Sequence, residues 1–225
     1  MPALPTADEL TRTEAAEFDF QMRFFVGGRR QFLTQGAVSA GDPLDTTVET
    51  ELTATVREDD TSIPVADTSG FTTGIICIAP NATDEQYEII AYGSRTATTF
   101  EDLTRFSGGD VPEEKTGYHT SGATVSEWVD ITDLVAGKVS IALELAEGIS
   151  TWNASIEGIN YNSQILARDH AIVALWRFRP NAGDMSTWTS WVVAFAGYLF
   201  QVSAHETYIR EKAWRAQIQG LSHYV

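Results

Sequence analysis

The sequence predicts an all-β protein, a β-sandwich or barrel with a small β module inserted into it and one short helix at its N-terminus. Three observations carry that expectation. Several stretches alternate apolar and polar residues with a period of two. Residues 51–127 are cut by turn residues every few positions, which suits short strands and no helix. After residue 128 the runs lengthen and some are apolar on both faces, as in strands at the centre of a sandwiched or closed sheet. With 225 residues, 43% apolar and 11% aromatic, the chain has the means to bury a core as one large or two modest domains.

Taken in order, the helix comes first. Thr6 and Glu9 have capping-box spacing, and helix formers continue to Ala16. From Phe18 the period becomes two: Phe18, Phe20, Met22, Phe24 and Val26 share one face, and Asp19, Gln21 and Arg23 the other. Gly27-Gly28 then reads as a tight turn, with "RRQFL" as the returning strand of a hairpin. A loop, "GAVSAGDPLD", separates this hairpin from the turn-rich segment beyond it, so residues 1–50 form a helix and hairpin that join the main sheet.

Residues 51–127 are interrupted by "REDD", "DTSG", "APNATDE", "YGSRT", "FSGGD" and "TSGAT", which leaves five or six short strands rich in Thr, Val, Ile and Tyr. This is the inserted module. In residues 128–225, "KVSIALELA" puts Val139, Ile141, Leu143 and Leu145 on one face, and "TWNASIEGI" does the same with Trp152, Ala154 and Ile156. "HAIVALWRFR" and "WTSWVVAFAGYLFQV" are apolar on both faces and belong at the sheet centre. Gly197 suits a bend or bulge. "KAWRAQIQGL" alternates again, Trp214, Ala216 and Ile218 inward, and reads as a final edge or partner-facing strand.

Charge limits the function classes. The net charge is −16, and residues 1–127 hold 22 acids and 8 bases, against 9 and 7 in the remainder. Sequence-specific nucleic-acid binding is not expected, since phosphate recognition needs a concentrated basic footprint. The single cysteine, Cys77 in "GIICIAP", reads as a buried small hydrophobe with no disulfide partner. The longest apolar run, "WVVAFAGYLF", is about half the length of a membrane-spanning helix, and no secretion signal is visible, so a soluble protein without a membrane span is expected.

No cofactor, metal or catalytic site is expected either. His119, His170, His205 and His223 have no metal-ligand spacing with one another or with Cys77. Arg168-Asp169-His170 is a polar turn rather than a triad fragment, because no nucleophile elbow accompanies it. Paired carboxylates at Asp59-Asp60 and Glu113-Glu114 are adjacent in sequence, which does not give the facing separation that glycoside cleavage needs. Asp110, Glu113 and Glu114 in a Gly loop would suit calcium but lack the strict loop spacing. Trp152, Trp176, Trp188, Trp191 and Trp214 read as core or interface residues; carbohydrate stacking by Trp188 and Trp191 is the competing reading.

Across the module, the set Val65–Phe71 ("VADTSGF"), Glu88–Tyr92 ("EIIAY"), Leu103-Thr104-Arg105 and His119–Val125 ("HTSGATV") resembles a small β module found repeatedly in structural proteins of tailed viruses. Asp67, Gly70, Phe71, Tyr92, Arg105, His119 and Gly122 define the match, which covers about a third of the chain. One departure is the long acidic link "SGGDVPEEKTGY". The remainder is similar, more loosely, to the tube-like β domain of distal tail and hub proteins. That resemblance implies a structural virion protein of the tail or baseplate, made in the host cytoplasm and carrying no enzymatic activity. It further implies a homo-oligomeric ring, commonly of six subunits, joining the tail tube protein to tip-hub or fibre proteins. Two alternatives remain: a virion-surface module that binds host saccharide or protein, and an enzyme acting on the host envelope.

Overall fold

The computed structural model describes residues 18–27, 48–78, 88–106, 119–146, 149–160, 166, 170–180, 191–206, 212–220 and 223–224. They form one antiparallel sheet of 13 strands, and the only helical element among them is a single 3-10 turn at Thr132–Leu134. The chain is all-β. The helix expected over residues 6–16 and the returning hairpin strand at residues 29–33 lie outside the described residues.

The first strand, β1 (Phe18–Gly27), pairs along its whole length with β10 (Ala171–Pro180), a partner about 150 residues away. Gly27, expected to open a turn, is still strand: it is opposite Ala171 on one edge and Trp128 on the other. From β10 the sheet continues through β11 (Val192–Glu206), β12 (Lys212–Gly220) and β9 (Ile149–Gly158) to β8 (Val135–Ala146), with the short β13 (His223–Tyr224) also on β9. Phe24, Val26, Ile156, Ile172, Ala174, Phe195, Trp214 and Ile218 gather on one face of these strands as a closed apolar core. Gly158 lies so close to the Trp214 ring and the Leu134 carbonyl that a β-carbon would collide with both. The Trp214 indole N–H donates to the Ile159 carbonyl at 2.9 Å.

Residues 48–130 build the second unit from β2 (Glu49–Glu51), β3 (Ser62–Pro64), β4 (Ile75–Ile78), β5 (Glu88–Arg95), β6 (Thr99–Phe106) and β7 (Thr124–Asp130). The ladder runs β7-β4-β5-β6-β3, and β2 closes it: β2 pairs β7, then Thr53 N–H donates to the Pro64 carbonyl (3.1 Å) and Ala66 N–H to the Glu51 carbonyl (3.0 Å). The result is a small barrel filled by Leu52, Val56, Ile63, Val65, Phe71, Ile76, Ile90, Phe100 and Val125. Its β4 is buried on both faces, Ile76 and Ile78 inside the barrel and Ile75 and Cys77 outside it.

Those outward residues, with Ile89 and Phe106, pack on Ala171, Val173 and Leu175 of β10. This explains why β10 is apolar on both faces: Ile172 and Ala174 serve the main core, their neighbours the contact with the barrel. Arg23 lies over the rings of Phe25 (5.9 Å) and Phe106 (5.2 Å), while Arg177 sits 4.4 Å from the ring of Trp191, which meets Phe106 edge-on.

Two expectations need correction. β12 is not an edge strand: Trp214, Ala216 and Ile218 do point inward, but β11 and β9 flank it on either side. Alternation reports one buried face and says nothing about edges. Gly197 is regularly paired; the register shifts fall instead opposite Ala174/Leu175 and at Leu199/Gln201, which leaves Phe200 half-exposed at the second bulge.

A side chain at position 27 would occupy the Trp128 indole, so Gly27→Ala is expected to cost ~1–3 kcal/mol or more in denaturant titration. Burial, and then the charge of Glu88, push the Cys77 thiol well above the usual thiol range. Cys77 is therefore expected to resist thiol reagents in the native protein and to react in step with unfolding, as read by labelling rate against denaturant.

Candidate functional site

The module-defining residues fall into two groups within the small barrel. At one corner, Asp67 accepts hydrogen bonds from the hydroxyl and the N–H (2.9 Å) of Ser69, which hold its carboxyl below the usual carboxylate range. Gly70 comes next, in the left-handed region at φ 87°, and a β-carbon there would stand 3.2 Å from Val48. Phe71 then enters the core edge-on against Phe100, at 5.1 Å between ring centroids, and Tyr92 packs on the same ring at 4.7 Å. Gly122, also left-handed at φ 86°, donates its N–H to the Leu52 carbonyl at 2.8 Å. These residues turn the chain and pin its exits.

The second group meets inside. Glu88, at the head of β5, is buried; Arg105 Nη1 donates to both of its carboxylate oxygens at 3.1 and 3.0 Å. His119, 1% exposed, donates from Nε2 to the same carboxylate at 3.0 Å, because an ionised carboxylate only accepts. Backbone bonds in both directions between His119 and Val56, each 2.8 Å, fix the histidine in place. Among the described residues Arg105 Nε and Nη2 are buried without a hydrogen-bond partner, and the Glu88 carboxylate carries the compensation for the guanidinium. The sequence marks Arg105 and His119 as motif residues but does not show that Glu88 joins them. The available signal is an acid placed at the head of the apolar run "EII". Glu88 and His119 are buried, and the three side chains together form an internal clamp between β5, β6 and the segment leading to β7.

Arg105 also lines an open groove of about 500 Å³, together with Glu58, Asp59, Asp60, Thr61, Asp102 and Leu103. Asp60 is engaged locally, accepting from Arg57 N–H at 2.7 Å, and Asp102 accepts from the Ser94 hydroxyl at 2.7 Å. Among the described residues, no three of His, Cys, Asp and Glu are arranged to hold a metal ion. Asp110, Glu113, Glu114 and Trp188 lie outside the described residues. Trp191 is half-buried at the junction between the two units, Trp176 is half-buried on β10, and Trp214 is core; Trp152 is placed as a strand residue of β9. Trp128, not among the candidates that the sequence singles out, is fully buried, with its indole N–H on Ser126 Oγ at 3.0 Å.

The feature that faces outward is an edge. β8, 12 residues long, pairs with β9 and with no other described strand. Val139 is half-buried against the main core, yet Ile141, two residues on, is 50% exposed. At the other end of the sheet, β3 is three residues long, ends in Pro64 and is covered by the β2 segment. No family model, curated protein or solved structure matches this chain.

Removing the Glu88 charge strands Arg105 in the interior. Glu88→Gln is expected to lower stability by about 3–5 kcal/mol, whereas Glu51→Gln, at an exposed position of β2, stays within about 0.5 kcal/mol; urea titration of both variants checks the difference.

Proposed function

We propose that the chain is a structural protein of a virus tail or tail tip, distal-tail- or baseplate-like, that works by assembling with copies of itself. In this reading the subunits form a ring, six by the resemblance, between the tail tube and the tip-hub or fibre proteins, and reside in the virion after synthesis in the host cytoplasm. The viral part of the reading rests on the module pattern that runs from Asp67 to Val125. The assembly part is carried by one observation, the outer β8 edge, unpaired among the described strands, with Ile141 exposed.

A strand edge offers backbone donors and acceptors in fixed register, so a neighbour that adds a strand gains affinity and orientation together. Closing such contacts around a ring removes the edge as an aggregation hazard. The small barrel has a complete core and rigid packing on β10, which suits an outer platform for a neighbour or fibre. Its charge suits the same role: the acidic excess of residues 1–127 repels nucleic acid and polyanions.

Electron microscopy with mass measurement of the purified protein, alone and with its tube partner, tests this reading. Hollow closed rings of fixed stoichiometry are expected; particles that stay monomeric at high concentration under both conditions overturn it.

A further inference from the structure

Open edges in natural sheets are protected by shortness, proline, bulges or inward charges. β8 has such protection only at its start, where the pairing with β9 is irregular between Val135 and Val139 and where Lys138 stands. From Val139 to Ala146 the strand is regularly paired on its inner edge and contains no proline and no base. Ile141 is exposed in the middle of this stretch.

Charge then indicates the occupant. In a chain of net charge −16, β8 holds one base, Lys138, and one acid, Glu144, so its own charge sums to zero. Two copies can approach here without opposing like charges. In-register parallel pairing of two β8 strands would set Lys138 against Lys138 and Glu144 against Glu144, which is unfavourable. Antiparallel pairing with Ile141 opposite Ile141 does the reverse: position 138 of each strand faces position 144 of the other, and Val139 faces 143. Within β8, no other antiparallel register brings the base opposite the acid. The stretch that is regular in both copies then runs from Val139 to Leu143, with the pairs between positions 138 and 144 at its two margins, next to the irregular start of β8.

We infer that the β8 edge takes the β8 of a second copy, antiparallel about a twofold axis at Ile141, with Lys138 of each copy opposite Glu144 of the other. The contact is isologous, so one patch serves both subunits. It rests on the proposed function only in taking β8 for an assembly edge; because a twofold contact joins subunits in pairs, a ring of six would alternate it with a second, different contact between copies.

Charge reversal and cross-linking on the full chain test it. Lys138→Glu and Glu144→Lys each put two like-charge pairs into the contact and are expected to weaken dimerisation about tenfold in sedimentation, while the double variant restores it. Ile141→Cys is expected to form a disulfide-linked dimer on mild oxidation, since Cys77 is buried and leaves one accessible thiol. The cross-link needs no charge variant to fold. A double variant no tighter than the single ones, or an Ile141→Cys chain that oxidises without dimerising, overturns the pairing. Dimers without rings would keep the pairing and refute the tail reading; rings without the cross-link would do the opposite.

Discussion

One edge of β7 has to serve two sheets, and the rest of the architecture depends on that division. Residues Thr124–Ser126 pair with β2 and close the small barrel, while Trp128–Asp130 pair with β1 and open onto the main sheet. The other edge of β7 is given over to β4. Buried backbone donors and acceptors must all be paired, so the changeover has to occur within about one residue, at Glu127. Glu127 N–H donates to the Val48 carbonyl at 2.9 Å, and its carboxylate accepts from Thr73 N–H at 2.8 Å, so the seam is itself bonded. Trp128 then lays its indole across Gly27, filling the corner where the two sheets part.

With that corner fixed, the barrel cannot swing free of the main sheet. Phe25, Ile89, Phe106 and Val173 pack across the junction, and Arg23 closes its rim by bonding Asp130 at 3.1 Å while lying over Phe106. The Glu88 clamp works from inside the barrel, tying the far ends of β5 and β6 to His119 just before the chain enters β7. A buried ion cluster is a costly way to gain stability compared with apolar packing. What it supplies is selectivity of register, since a slipped β6 would bury Arg105 away from its carboxylate.

Period and composition make the strands legible in the sequence, and the reason is burial. β9 and β12 bury one face, so their sequences alternate; β10, and β1 from Phe24 onward, are covered on both faces, so their sequences do not. Neighbours are not legible, because pairing across the sheet is a long-range matter. β12 looks like an edge and lies inside, since β8 and β9 form a hairpin added beyond it. The closing strand β2 is three residues, "ETE", too short and polar to announce itself, and its partner lies some 75 residues on. Gly27 next to Gly28 looks like a turn, whereas its reason is the indole above it. Of the candidate site, the turn glycines are readable from their type. The meeting of Arg105 and His119 on Glu88 is not, because three separated residues reveal a shared carboxylate only once β5 and β6 are in register.

The two ends of the sheet show contrasting treatments of the same physical problem. At the barrel end, every strand finds a partner through β2, and the short, proline-terminated β3 leaves little to add to. At the other end the last described strand is one of the longest, β8, its final residues regular and its exposed isoleucine set on the side where Ala154 and Ile218 are buried. A monomer with no use for that edge would be expected to shorten it or place charge along it, as β3 and the start of β8 do. Among the described residues, Val139 of β8 packs against the main core while Ile141, two residues on and on the same side of the sheet, is exposed. In the assembly proposed above, the barrel would be the rigid body that sets the spacing and β8 the edge that passes the sheet on.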